Sequence, residues 1–302
     1  MKKVLLSFAC VFFLCTMGCV AETVLVKEKR EVGAFQKVAL SGGANVYFTQ
    51  SDTFSVVVEA PESHLKDIAT EVESGDLLIR WKNNFKFWKF WGRRPVKVHI
   101  SAPALEQVRA SGGASFYAAQ LKSDGSFSLH LSGGADADIA ALNVAQSADI
   151  SVAGGADAEI GSLTAAQSVN LSVTGGADAK IGSLTATQNA NLSVTGGADA
   201  EIGSLTAAGA VGISANGGAD CNVQNLQAGA CTLSSTGGGD LHVALIAADS
   251  LSVAASGGAD VSVGGKATSV KVSAAGGADV AIRALAYASI DVTKSSGADV
   301  DR

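Results

Sequence analysis

Nine aspartates, Asp136, Asp157, Asp178, Asp199, Asp220, Asp240, Asp260, Asp279 and Asp299, recur in one context, GGAD or a close variant, at steps of 21 residues that become 19 or 20 after Asp220. A file of carboxylates offers two chemistries. It can ligate a hard cation such as calcium, or its short side-chain oxygens can cap backbone N–H groups in a turn. Glycine-rich calcium rolls use a GGxGxDx nonapeptide. Here the repeat is about twice that length, and the inner glycine and second liganding turn are missing. Earlier turns place Asn45 (SGGANV) and Ser115 (SGGASF) at the same point. Asp, Asn and Ser share a capping oxygen, whereas serine does not replace a liganding carboxylate. The pattern therefore predicts a turn-capping, structural role for all nine aspartates, with glycine supplying positive φ, and no metal or cofactor.

A second set of ionisable groups, Asp138, Glu159, Lys180, Glu201, Asn222 and His242, forms one outward column after the turn. Polysaccharide cleavage needs convergent acids on an exposed groove. Lys180 between two glutamates reads instead as a surface ion pair. His130 falls in register with Ser151 and Ser172 on an uncharged strip, while His64 and His99 lie in unrelated contexts. No nucleophile, base and orienter trio, phosphate loop or metal-ligand cluster emerges. No catalytic residue is expected.

The third constellation is RWKNNFKFWKFWGRR, residues 80–94, which holds all three tryptophans, Trp81, Trp88 and Trp91, with Phe85, Phe87 and Phe90 among Lys82, Lys86, Lys89, Arg93 and Arg94. Aromatics interleaved with cations suit a lipid headgroup interface, a sugar ring or a protein hot spot. The same rings could instead plug the open end of a solenoid. The candidate binding residues are Trp81, Phe87, Trp88, Lys89, Phe90, Trp91, Arg93 and Arg94.

The elements that position these groups follow from the repeat. A period near 20 is one coil of a solenoid. In VNLSVTGG, Val169, Leu171 and Val173 face one way and Asn170, Ser172 and Thr174 the other, a half-buried strand. A second strand follows in ADAEIGSLTA, with Ile160 and Leu163 inward and Gly161 at a corner. Without helical periodicity, the pattern predicts an all-β, single-stranded parallel β-helix of about 20 to 21 residues per coil, coils about 4.8 Å apart. Leu171 then lies on Leu192, Val173 on Val194, and Ile160 on Ile181 and Ile202. From Ser128 to Ala286 there is no Phe, Tyr or Trp, so this core is aliphatic and thin.

Three segments result. Residues 1–21 read as a secretory signal peptide, with Lys2 and Lys3, an apolar run and small residues before Glu22. TMGC offers an alternative lipoprotein signal over 1–18, making Cys19 a lipid anchor. Residues 22–109 form irregular N-terminal β coils and a cap carrying the aromatic loop 80–94, and residues 110–302 form the regular GGAD-repeat helix. The first of these two carries 13 basic and 11 acidic side chains, the second 7 and 17. Such acidic coils are poor partners for nucleic acid. Of the 5 cysteines only Cys221 and Cys231 follow the signal. Their half-repeat spacing suggests different strands of one coil, as buried small hydrophobes or as a disulfide that an oxidising compartment would permit.

Within 22–109, strands are expected at FQKVALSG, NVYFTQ, FSVVVEA, DLLIRWK and PVKVHISA, with one helical turn in PESHLKDIA. The run from REVGAFQKVALSGGANVYFTQ to SGDLLIRW, then VKVHISAPALEQVRASGGASFYAAQL, resembles the auto-transporter adhesin, head GIN domain family of exported bacterial proteins over roughly residues 30–215. The resemblance implies a β-helical surface or periplasmic protein. It supplies no catalytic motif, and this chain departs from the pattern in its uniform turn aspartates and its aromatic insert.

Together these features predict an exported, non-enzymatic cell-envelope or surface protein of the periplasm, outer membrane or cell surface. It would bind a glycan, a membrane surface or an envelope protein, or act as a scaffold. The alternative is a carbohydrate-active enzyme of pectinase-like β-helix type.

Overall fold

The structure, a computed structural model, describes residues 25–82 and 96–302. The signal segment with Cys19, and Phe87, Trp88, Lys89, Phe90, Trp91, Arg93 and Arg94 of the candidate loop, lie outside the described residues. The chain is a parallel β-solenoid with ~21 residues per turn. Equivalent residues stack as the repeat requires: Leu171 pairs with Leu192, Val173 with Val194, and Ile160 with Ile181, which pairs in turn with Ile202.

One coil shows why this sequence closes on itself. Strand Asp157–Ala165 buries Ala158 and Ile160, then Leu163 and Ala165; the alternation breaks at Gly161 and Ser162, where the strand bends. Strand Val169–Gly175 buries Val169, Leu171 and Val173. Inward side chains from all sides meet in one continuous aliphatic core. At the bend the coils approach closely. A Cβ on Gly182 would stand 2.5 Å from the carbonyl oxygen of Gly161. At the GGAD corner the requirement is conformational: Gly175 and Gly196 have φ of +82° and +86°, the left-handed region that glycine enters without steric cost.

Cys221 and Cys231 are steps of this ladder. Both are free and buried on one continuous strand, Asp220–Gly237, that wraps the coil, instead of on separate strands. Cys221 stacks between Ala200 and Leu241, and Cys231 between Val211 and Leu251. Burial pushes both thiols up to about 12, so they pack as small hydrophobes and are poor nucleophiles.

The N-terminal end departs from the rule of consecutive stacking. Its elements are β1 (Leu25–Arg30), β2 (Lys37–Ser41), β3 (Ala44–Gln50), β4 (Ser55–Pro61), α1 (Glu62–Leu65), β5 (Ile68–Glu73), β6 (Asp76–Trp81), β7 (Val96–Ala102), β8 (Gln107–Ser111) and β9 (Ser115–Ala118). β2 lies between β6 and β8, and β3 between β7 and β9, all parallel. The chain thus lays down one coil, β2–β3, and runs outward through β4 and β5. It then returns as the outer coil β6–β7 before crossing to β8–β9. β4 pairs antiparallel with β7, β1 with β4, and β5 with β6. These antiparallel strands, with Leu65 and Ile68 buried beneath them, close the end of the core.

Candidate functional site: the glycine-corner face

Every strand that leaves the glycine corner points alternate side chains outward, and parallel register turns those positions into columns. The first column runs Lys97, Asn45, Ser115, then all nine aspartates from Asp136 to Asp299. The second, two residues further along, runs His99, Tyr47, Tyr117, Asp138, Glu159, Lys180, Glu201, Asn222 and His242. One face therefore changes character along its length, from cationic and aromatic at the cap to acidic over the coils.

The aspartates are exposed. Among the described residues, hydrogen bonds to these nine carboxylates occur only at the ends of the row. Ser115 Oγ donates to Asp136 Oδ2 at 3.3 Å; Lys294 Nζ and the backbone N–H of Val300 donate to Asp299 Oδ1 at 3.0 and 2.9 Å. Between those ends the corner is held by backbone bonds, such as Asp157 N–H to the Ala135 carbonyl at 3.0 Å. Partial burial, then the charges of Asp178 and Asp136, raise the carboxyl of Asp157; burial, then Asp199 and Asp240, raise that of Asp220. Asp299 is lowered by its Lys294 and Val300 hydrogen bonds. Near the C-terminal end an open groove of about 440 Å³ runs between Asp240, Asp260, Asp279, Asp299 and His242. Among the described residues, no three His, Cys, Asp or Glu side chains converge as metal ligands.

In the second column Lys180 Nζ lies 3.7 Å from Glu201 Oε2, both more than half exposed. The file is evenly spaced along the sheet, so Glu159 and Glu201 stand two coils apart with Lys180 between them and do not converge on one bond. His130 does stack with Ser151, and Ser151 with Ser172, on another side of the coil.

The aromatic cluster at the cap end was not anticipated. Tyr47 stacks between His99 and Tyr117, with ring centroids 5.4 and 5.0 Å apart and interplanar angles of 22° and 16°. Part of it was legible, since Tyr47 and Tyr117 each follow the turn residue, Asn45 or Ser115, by two positions, as Asp138 follows Asp136. His99 Nε2 lies 3.3 Å from Glu59 Oε2, and Lys27 Nζ lies 3.5 Å from the same oxygen. Burial raises the Glu59 carboxyl, but the hydrogen bond with His99 and the charge of Lys27 outweigh it, and the net direction is down.

The aromatic insert departs from this same corner. Leu40 pairs with Ile79 and Ala44 with Val96, so residues 80–95 span the step that residues 41–43 span in the adjacent coil. Trp81, the described member of the candidate set, packs against the corner: its Nε1–H donates to the Gly42 carbonyl at 2.7 Å, and a Cβ on Gly42 would meet its Cδ1 at 2.9 Å. Its ring also meets His64 edge-on at 5.9 Å. Trp81 thus anchors the stem from which residues 83–95 depart.

A family model described as putative auto-transporter adhesin, head GIN domain, matches residues 34–211 and 204–301. Among solved structures, a putative adhesin from Bacteroides fragilis is similar at 17% identity and a TM-score of 0.44, covering 92% of this chain and 96% of that one. A putative adhesin from Parabacteroides distasonis is similar at 17% identity and a TM-score of 0.46, covering 93% and 98%. A putative lipid binding protein from the same species is similar at 13% identity and a TM-score of 0.42, covering 92% and 96%. No curated protein matches the chain.

Proposed function

The chain belongs to the putative auto-transporter adhesin, head GIN domain family, and from that premise we propose that it is an exported, non-enzymatic protein of the bacterial envelope or surface that binds a glycan, membrane or envelope partner through residues 80–94. The coils behind it serve as a rigid spacer. The observation that carries this reading is the pairing on either side of the insert, Leu40 with Ile79 and Ala44 with Val96, at an end of the core where β1, β4, β5 and α1 add further strands and a helical turn. Those strands supply a plug without calling on the insert, which supports a binding role for its aromatic residues.

The test compares the wild type with a Trp88→Ala/Trp91→Ala variant in co-sedimentation with anionic liposomes and with insoluble cell-wall glycan. Loss of two aromatic anchors is expected to weaken binding by about 2 kcal/mol, roughly 30-fold, with the melting temperature unchanged. Undiminished binding would refute the loop as the site. A large drop in melting temperature would assign the rings to the core instead.

A further inference from the structure

A groove lies on the side of the coil that precedes the glycine corner; among the described residues, Arg80 at the stem of the insert lines it, and Trp81 does not. Four parallel strands run side by side there: β6, β2, β8 and Phe127–Ser132. One outward column reads Leu78, Ala39, Arg109, His130, and the next carries Ser41, Ser111 and Ser132, with Arg80 beside Ser41. Ala39 presents only a methyl group between two long neighbours, Leu78 and Arg109. The gap it leaves is an open groove of about 340 Å³, within the range of small-ligand sites.

Two arginines flank the gap, and both are held. Arg109 Nη2 donates to Asp76 Oδ2, reaching from β8 past β2 to β6. Arg80 Nη2 lies 3.3 Å from Glu71 Oε2 on β5. Their side chains remain 45% and 49% exposed, so each guanidinium has donors left for a ligand. A guanidinium already oriented by a carboxylate loses little further rotamer freedom on binding.

We infer that this groove binds a sugar unit bearing a carboxylate, of the uronic acid kind, with Arg109 and Arg80 receiving the acid group. The strands under the groove spend their backbone N–H groups on the ladder, so the backbone offers no nest for a phosphate. What projects is planar guanidinium, whose forked donors match the two oxygens of a carboxylate. The row Ser41, Ser111, Ser132 repeats at about 4.8 Å and offers hydroxyls to sugar hydroxyls. Leu78 and Ala39 give the ring an apolar patch. This site shares Arg80 with the stem of the loop proposed above but not its tryptophans, so the two readings can fail separately.

The experiment is calorimetric titration of the full chain with tetragalacturonate, with a neutral galactotetraose, and with a sulfated galactan oligosaccharide of the same length. Tetragalacturonate is expected to bind, and the neutral sugar at least roughly tenfold more weakly. Arg109→Lys keeps a charge beside Asp76 but loses the fork, and Ala39→Leu fills the gap while keeping every charge. Each should lower tetragalacturonate affinity by roughly tenfold or more. Trp88→Ala/Trp91→Ala should leave it intact. Absence of heat with tetragalacturonate, equal binding of the neutral sugar, or equal binding of the sulfated sugar that persists in Arg109→Lys would each overturn the inference. Loss of binding in the tryptophan variant alone would move the acid-sugar site to the loop. Should Arg109→Lys lose stability, Ala39→Leu decides.

Discussion

The cap end and the regular coils solve one problem, filling the inside of a β-solenoid, in opposite ways. Over Asp136–Ala207 the same small set of residues recurs at the same depth. One inward column is alanine in four successive coils, Ala137, Ala158, Ala179 and Ala200, and the next is isoleucine, Ile139, Ile160, Ile181 and Ile202. At the cap end the alanine column continues into Phe116 and then Val46 and Val98, and the isoleucine column into Ala118, Phe48 and Ile100. Phe116 and Phe48 stack there with centroids 6.2 Å apart. The repeats gain uniqueness by copying; the cap gains it by matching dissimilar shapes. Copying tolerates a thin aliphatic core because each coil inherits its packing from its neighbour.

The sharpest way to break this comparison is to impose the rule of one region on the other. Phe116→Ala installs the residue that the next coil carries at that depth, Ala137. If the cap obeyed the repeat rule the change would be nearly neutral. Because Phe116 is fully buried against Phe48, the expected loss is about 3–5 kcal/mol in urea unfolding. Leu192→Ala in the middle of the coils should cost about 2–5 kcal/mol. Its hydrogen-exchange deprotection should stay within the adjoining coils, whereas that of Phe116→Ala should spread through β3, β7 and β9.

A smaller departure inside the repeats makes the same point. Ser235 occupies the inward column after Val173, Val194 and Ala215, and Gly239 stands where other coils have Ala177, Ala198 and Ala219. Ser235 is fully buried, and its Oγ lies 2.6 Å from the Gly239 carbonyl and 3.2 Å from that of Ala215. A Cβ on Gly239 would stand 2.9 Å from the Ala215 carbonyl oxygen and 3.1 Å from that hydroxyl. The two substitutions are therefore coupled: the hydroxyl uses part of the room that the missing methyl leaves, the rest being taken by the Ala215 carbonyl. Gly239→Ala alone should cost about 1–3 kcal/mol. Adding Ser235→Ala should recover about 1 kcal/mol of it, measured as the coupling in a double-mutant cycle. Zero coupling would make the pair a coincidence. By comparison, Gly155→Ala tests conformation with little crowding, at φ +78° with the Gly176 carbonyl oxygen 3.9 Å from the added Cβ, and should cost about 1–2 kcal/mol.

How much of this was legible follows the same division. Alternation in VNLSVTGG and the constant step of the aspartates were enough to place Leu171 on Leu192 and to align Asp138, Glu159 and Lys180, because a solenoid coil stacks on its copy and sequence offset becomes spatial register. The cap offered no such copy. Strands β2, β3, β4, β6 and β7 and the turn α1 fell where alternation put them, but the layer order did not follow from it. Nothing in DLLIRW states that β6 lies outside β2, since either edge of β2 offers the same unpaired groups. The insert also removes the glycine corner that would have set the register of β7, which is why His99 was not placed beside Tyr47. The Ser235 and Gly239 pair was invisible for a further reason: each substitution alone reads as ordinary variation at a turn. In the candidate loop, only the anchoring of Trp81 is placed by the described residues.

The weakest contrast is electrostatic, and the two regions should show it with opposite sign. Nine carboxylates at about 4.8 Å repel their neighbours by about 0.9 kcal/mol per pair in water, less once salt screens them. Asp157 and Asp220 are accordingly raised above 3.8, by burial and then by their neighbours. A raised acid binds protons more tightly folded than unfolded. Its contribution to stability is therefore complete below 3.8 and is lost as pH climbs through the folded value. Glu59 is lowered beneath 4.5, chiefly by His99 and Lys27 against the opposing effect of burial. Its contribution is present above 4.5 and disappears as pH falls through the folded value. Acidification from pH 7 toward 4 should thus slow exchange in the coils around Asp157 and Asp220 relative to β4 and β7, after correction for intrinsic rates. Asp199→Asn removes one charge between Asp178 and Asp220, and forfeits no hydrogen bond found in the structure. It should stabilise the coils by a few tenths of a kcal/mol at low ionic strength, shrink their response to acid, and leave the cap unchanged. A gain that persists in molar salt would mean that packing at the corner, and not the stacked charge, distinguishes the two regions.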